Sequence, residues 1–275
     1  MNIEAARCWR LILDSGDIDG YLHMAIDEAI LWSCQEGQAP PTLRFYTWDH
    51  PTLSVGYSQK VSKEFDITTC QKLKYPVVRR ITGGRAVLHD QEVTYSVVIS
   101  QVDPLFSRGV LQAYRNLATG LLRGCRILGI NAQMTPKPRE KPLQSHRSPV
   151  CFSSASWYEI LVEGKKLIGS AQKRFQNALL QQGSILMGFN PQRWVDILRV
   201  KSTTLLEQLV CHTTSIKDHI PEGVSRERVI SAMIRGFEQV HGITFQETGL
   251  TVLEWERAHY LYRTKYSQDT WNYRF

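Results

Sequence analysis

The stretch Arg79-Arg80-Ile81-Thr82-Gly83-Gly84-Arg85-Ala86-Val87-Leu88-His89-Asp90 sits between two runs with strand character, Pro76–Arg80 before it and Val93–Ser100 after it. Two adjacent glycines between strands let backbone N–H groups approach a ligand with no Cβ in the way. Arginines on either side suit a carboxylate, a phosphate or an acyl-carrier group. The pattern is neither a dinucleotide-binding GxGxxG nor a phosphate-binding Walker loop. On these residues alone, a tight turn with solvated arginines stands beside the ligand-binding reading.

Working outward, Tyr21–Trp32 has Leu22, Ala25, Ile26, Ala29 and Ile30 on one helical face, with Asp19 placed as N-cap. Leu43–Trp48 and Thr52–Tyr57 read as short strands. Arg108–Leu128 carries an apolar face through Val110, Leu111, Tyr114, Leu117, Leu121, Leu122 and Cys125, and Gly129 ends it. Trp157–Glu163, Lys166–Lys173 and Ala178–Met187 form an expected antiparallel meander with turns at Gly164-Lys165 and Gln176-Asn177. From Pro191 onward the pattern is mostly helical, including Arg226–Val240 and Leu250–Arg263. The fold class expected is α+β (mixed α/β), a mixed β-sheet flanked by helices. Residues 1–248 are expected to form the catalytic domain and residues 249–275 a helical C-terminal extension of that same domain.

The 275 residues include 33 Lys+Arg against 26 Asp+Glu, a net charge of +7 that calls for an anionic partner. No apolar run approaches the ~18 residues of a membrane span. Met1–Ser15 carries Glu4, Arg7, Arg10 and Asp14 and lacks the apolar core of a secretory signal. Six scattered cysteines without a CxxC read as reduced thiols, so a cytoplasmic protein is expected. The histidines and cysteines do not fall at metal-ligand spacing. Basic residues are spread along the chain with no helix-turn-helix, which argues against nucleic acid.

Two further segments carry chemistry. Residues 135–149 hold four prolines with Lys137, Arg139, Lys141 and Arg147, and Cys151 follows at the exit of this loop. A thiol there is more accessible than Cys125, on the apolar face of its helix, although a lone cysteine is commonly a small core residue. Glu163-Gly164-Lys165-Lys166-Leu167-Ile168-Gly169-Ser170-Ala171 places a lysine on a strand, where its ammonium can face a carbonyl or thiolate; tandem lysines at a hairpin are also commonly solvated.

Taken in order, RRxTGGRAVLHDQExTYS, a Cys-Phe, and SWYExxVEGKKLxGSAQ resemble the biotin/lipoate protein ligase superfamily, and within it the cysteine-dependent octanoyltransferases of the LipM type. The segments WRxxxDSG…MAxDEA, RFYxWxxPTLSVGYxQ and KYxxDxWNYR fit the same family. The resemblance implies transfer of an octanoyl group from octanoyl-acyl carrier protein to a lysine of a lipoyl domain or glycine cleavage H protein. It implies Cys151 as nucleophile, Lys166 as its catalytic partner, and Arg80, Thr82, Gly83, Gly84, Arg85, His89, Gly169 and Ala171 around the acyl and pantetheine arm. No ATP and no metal are implied, since the thioester is already activated; a monomer is expected, with neither nucleic acid nor membrane as partner. A cation beside a thiol whose ordinary pKa is about 8.5 favours the thiolate nucleophile. With the turn at Gly164-Lys165, however, Lys166 and Cys151 fall toward opposite ends of the hairpin, up to about 20 Å apart at ~3.3 Å per residue. An ATP-dependent lipoate–protein ligase is the rival within the superfamily, and an amidotransferase moving octanoyl between protein domains is a nearer one. The +7 charge is assigned to docking acidic carriers, with Lys137–Arg147 as the expected contact.

Overall fold

The computed structural model describes residues 7–14, 18–107, 109–135, 150, 158–201 and 203–275. β1 (Arg7–Leu13) precedes α1 (Gly20–Gln35), β2 (Thr42–Tyr46), β3 (Thr52–Val55), the short helices α2 (Val61–Glu64) and α3 (Ile67–Lys72), and β4 (Val77–Arg79). Next come β5 (Val87–His89), β6 (Glu92–Ser100), α4 (Val110–Ile127), β7 (Gln133–Met134), β8 (Ile160–Val162), β9 (Lys165–Arg174) and β10 (Ala178–Leu186). α5 (Pro191–Ile197), α6 (Thr203–His212), α7 (Ile216–His219), α8 (Arg226–His241), β11 (Ile243–Glu247), α9 (Val252–Leu261) and α10 (Asp269–Asn272) complete the chain. The expected mixed α/β architecture is the one found. Eight described strands form a mixed sheet in the order β11-β1-β2-β6-β10-β9-β8-β7, and β4-β3-β5 form a smaller one. Among the described residues no helix is long and apolar enough to cross a membrane.

Strand alternation explains the layers. On β6, Val93, Tyr95, Val97 and Ile99 point to a core completed by Leu117 and Leu121 of α4 and Phe237 of α8. On the opposite face α1 packs against Val98, Leu180 and the α9 residues Ala258 and Leu261. That second face carries Thr94, Ser96, Gln182 and Ser184, polar residues that are nonetheless buried. A buried polar sheet face requires hydrogen-bond partners, and it marks where the sheet does something other than pack. Asp19 caps α1 as expected, accepting from the Leu22 N–H at 2.8 Å, and Gly129 follows α4 with φ +84.

Two expectations need correcting. The β8–β9 turn is Glu163-Gly164, with φ of 51 and 78, not Gly164-Lys165. A two-residue hairpin favours left-handed backbone at both central positions, and glycine takes the second here. Lys165 therefore opens β9 exposed, while Lys166 turns inward and lies opposite Leu161. The helical reading of the last third omits β11, which pairs in parallel with β1, itself absent from the expected strands. Arg10 interrupts the apolar pattern of β1, yet it is buried, and Glu254 accepts from its two terminal nitrogens at 2.6 and 2.7 Å.

The C-terminal segment is integral to the site side of the molecule. The buried Arg79 guanidinium donates to six backbone carbonyls, those of Gly56, Tyr57, Gln59, Trp271, Asn272 and Arg274. Asn272 Oδ1 accepts from the Arg79 N–H at 2.9 Å. One side chain thus welds the loop after β3 to residues 271–274. Arg79→Met should destabilise the chain by at least about 3 kcal/mol, because it strands buried carbonyls. Urea unfolding checks this, and a loss below about 1 kcal/mol would contradict it.

Candidate acyl-binding site

A partly open pocket, with about 420 Å3 of empty space including its solvent-open mouth, lies between the polar sheet face, α1 and the small sheet. Met24, Tyr46, Val87 and Gly183 contribute to its wall. Of the residues singled out in the sequence, Arg80, Gly84, His89, Gly169 and Ala171 line it, whereas Thr82, Gly83 and Arg85 are not on its wall. Gly83 and Gly84 are exposed, so the loop edges the cavity from outside. A Cβ on Gly56 would lie 2.0 Å from the Gly84 carbonyl oxygen, so this loop and the one after β3 touch backbone to backbone.

Arg80 has a different part from the anion fork its sequence context suggests. Its Nε donates to Thr82 Oγ1 at 3.2 Å. Nη1 donates to the Ser54 carbonyl and Oγ at 3.0 and 2.7 Å, and Nη2 to the Gly83 and Arg85 carbonyls, both at 2.9 Å. The guanidinium has five N–H donors and this geometry engages all of them, so it shapes the loop. Thr82 is reached through the loop's interior: its hydroxyl donates to Gln182 Oε1 at 3.0 Å, and Gln182 Nε2 donates to Asp27 Oδ2 at 2.6 Å. Asp27 also accepts from Arg44, Tyr46 and Ser96. A continuous network therefore runs from α1 across the sheet to the glycine loop.

His23 and His89 flank Trp48 on this face. His23 Nδ1 accepts from Arg44 at 2.8 Å while Nε2 faces the Thr47 carbonyl at 2.9 Å. Burial, then the Arg44 charge, hold His23 well below the usual histidine range. His89 stacks on Trp48 with centroids 4.0 Å apart. Its Nδ1 lies 2.6 Å from Glu92 Oε1 and its Nε2 2.7 Å from Ser54 Oγ. Both ring nitrogens are therefore engaged, which fixes the orientation of the ring.

Lys166 is 1% exposed, and its ammonium donates to Glu159 Oε1 at 2.5 Å. Lys166 is not on the cavity wall, but Gly169, three residues along β9, is. Cys151 and the basic loop Lys137–Arg147 lie outside the described residues. Val150, to which Cys151 is bonded, is buried and bridges Ala86, directly after the glycine loop. Sequence reasoning missed Ser54, Glu159, Gln182 and the Asp27–Arg44 pair. Asp27 had a signal, an acid among the apolar residues of α1, and Glu159 stood in the SWYExxVEGKKLxGSAQ segment without a partner to give it a role.

Glu159→Gln removes the carboxylate facing a buried ammonium and should cost about 3–5 kcal/mol in chemical unfolding. The double change Glu159→Leu with Lys166→Met should recover much of it, and no recovery would count against the ion pair as the cause. Neutral His23 carries a pH signature. Its folded pKa lies below its unfolded value, so the unfolded chain binds more protons between the two, and stability falls as pH drops below about 6.5. NMR should show the His23 ring still neutral at pH 6; titration near 6.5 would contradict this.

Several known proteins are similar to this chain in sequence or fold. The lipoyl protein ligase A/B catalytic domain model matches residues 19–238. Octanoyltransferase LipM of Kyrpidia tusciae is 44% identical over 273 residues, covering 97% of this chain and 98% of its own. Octanoyltransferase LipM of Bacillus subtilis is 40% identical over 274 residues, covering 97% and 98%. A solved bi-partite lipoate protein ligase from Thermoplasma acidophilum, described with its E2 lipoyl domain, is 26% identical with a TM-score of 0.81, covering 97% of this chain and 96% of its own. With the family model matching residues 19–238 and relatives of 40% identity or more spanning nearly the whole chain, the chain belongs to the lipoyl protein ligase A/B catalytic domain family.

Proposed function

We propose that this chain is an octanoyltransferase that moves octanoyl from octanoyl-acyl carrier protein to a lysine of a lipoyl domain or glycine cleavage H protein, through a thioester on Cys151. The carrying observation is the polar-backed pocket beside the glycine loop, with Val150, the residue before Cys151, bridging Ala86. The 44% identity to an octanoyltransferase across nearly the full length supports the same reading. Residues 1–248 act as the catalytic unit and 249–275 as its extension, and the carriers meet it in the cytoplasm as a monomer.

The chemistry is a double displacement. The Cys151 thiolate attacks the donor thioester carbonyl, the carrier's pantetheine thiol leaves and takes a proton, and octanoyl-Cys151 remains. The acceptor's lysine amine then attacks this thioester, an amide forms, and the cysteine thiol is restored as the lysine loses its proton. Lys166, held by Glu159, supplies positive charge for the thiolate and the tetrahedral oxyanion. Gly169 and Ala171 border the chain, and His89 is held in place at the wall by Glu92 and Ser54. Arg80 and Thr82 act through the loop they shape, with Gly83, Gly84 and Arg85 presented by it. An ATP-dependent lipoate–protein ligase is the alternative, and the Thermoplasma acidophilum neighbour is described as a lipoate protein ligase.

Intact-mass measurement after incubation with octanoyl-acyl carrier protein should show one octanoyl unit on wild type, none on Cys151→Ala, and loading slowed at least about 100-fold in Lys166→Met. Full ATP-dependent activity in Cys151→Ser would overturn this reading in favour of the ligase.

A further inference from the structure

Beside the exposed Gly84 rim stands a cluster of cations and aromatics that the acyl-transfer steps leave unused. Tyr57, 37% exposed, follows β3, and its N–H donates to the Thr82 carbonyl at the base of the glycine loop. The Arg274 guanidinium lies over the Tyr57 ring at 4.2 Å and over the Trp271 ring at 3.8 Å. Lys173 Nζ lies 5.1 Å from the same Tyr57 ring centroid. Lys173 is two residues along β9 from Ala171, which lines the cavity, so strand alternation puts it on the same face. A Cβ on Gly84 would lie 3.6 Å from Ala171 Cβ, which joins the two sides of this rim.

Neither Lys173 nor Arg274 has a carboxylate partner among the described residues, unlike nearby Lys265, which is paired with Glu28. The Tyr57 phenol registers the resulting positive field: a hydrogen bond from Arg274 and its charge, with Lys173 and Lys265 adding, hold it below the usual tyrosine value. Rings fix the Arg274 plane, so little side-chain freedom is lost when it meets an anion.

We propose that Lys173 and Arg274, mounted on Tyr57 at the cavity rim, bind the phosphate of the donor's phosphopantetheine arm. This rests on the acyl-transfer reading above. The planar Arg274 fork suits a phosphate, whereas the acceptor's reactive group is an ammonium that a positive rim repels. The rim therefore selects the donor and orients its arm toward the cavity.

The test compares loading of Cys151 from three octanoyl thioesters: the acyl carrier protein, free 4′-phosphopantetheine, and pantetheine, which lacks the phosphate. In the Lys173→Gln, Arg274→Gln double variant, kcat/KM should fall about tenfold or more for both phosphate-bearing donors, as expected for loss of charge-assisted hydrogen bonds. It should stay within about twofold for octanoyl-pantetheine, which also shows that the variant is folded. Transfer from preloaded enzyme to the acceptor should be unchanged. An equal fall with all three donors, or a fall confined to the carrier protein, overturns the phosphate site; the latter assigns the rim to acidic protein surface. A wild type that loads from none of the three overturns the acyl-transfer reading itself.

Discussion

The Arg80 guanidinium is the point on which the site depends. By donating to Ser54, Thr82, Gly83 and Arg85 it fixes a glycine-rich loop that has few side chains of its own to hold it. Flexible backbone next to a reacting thioester would blur the geometry that makes acyl transfer efficient. The protein keeps glycine's close approach and removes its freedom from beneath. The same serine that receives Arg80 contacts His89, so loop shape and histidine orientation are set by one hydrogen-bonded unit.

This interior is expensive in hydration. Asp27, Arg44, Arg79, Arg80, Glu159 and Lys166 are all buried, and desolvation of such groups commonly cancels much of their mutual attraction. Apolar replacements of similar volume could pack as stably. What they could not do is tie α1, two sheets and the C-terminal segment into one arrangement around the cavity. The polar network runs along the pocket's back wall and leaves mainly carbon surface facing its interior.

Much of the architecture was legible because it rests on period. The capped α1, the apolar stripe of α4 and the meander of β9 and β10 follow from residues spaced for one helical or strand face. β1 and β11 were not legible, since Arg10 and the exposed residues of Ile243–Glu247 break the alternation and only Glu254, far along the chain, explains the buried charge. At the pocket, the sequence pointed to the loop and the strand that border it, but not to the contacts each side chain makes there. Arg80 looked like a ligand arginine and is a loop brace. Tandem lysines could not reveal which one turns inward until the turn was placed one residue earlier. Glu159 becomes meaningful only when β8 lies against β9.

The pairing of β1 with β11 joins residues 7–11 to residues 243–247, and Arg79 closes on carbonyls almost two hundred positions away. Such pairings put a long loop-closure step before their reward, which slows folding. During synthesis β1 emerges first and has one hydrogen-bonding edge vacant until β11 follows. An open edge of this kind is a template for other chains. Arg7 and Arg10 on that strand give the waiting edge positive charge, which discourages pairing with a second copy. Arg10, which complicates the reading of β1, meets its carboxylate partner only once Glu254 of α9 has been made.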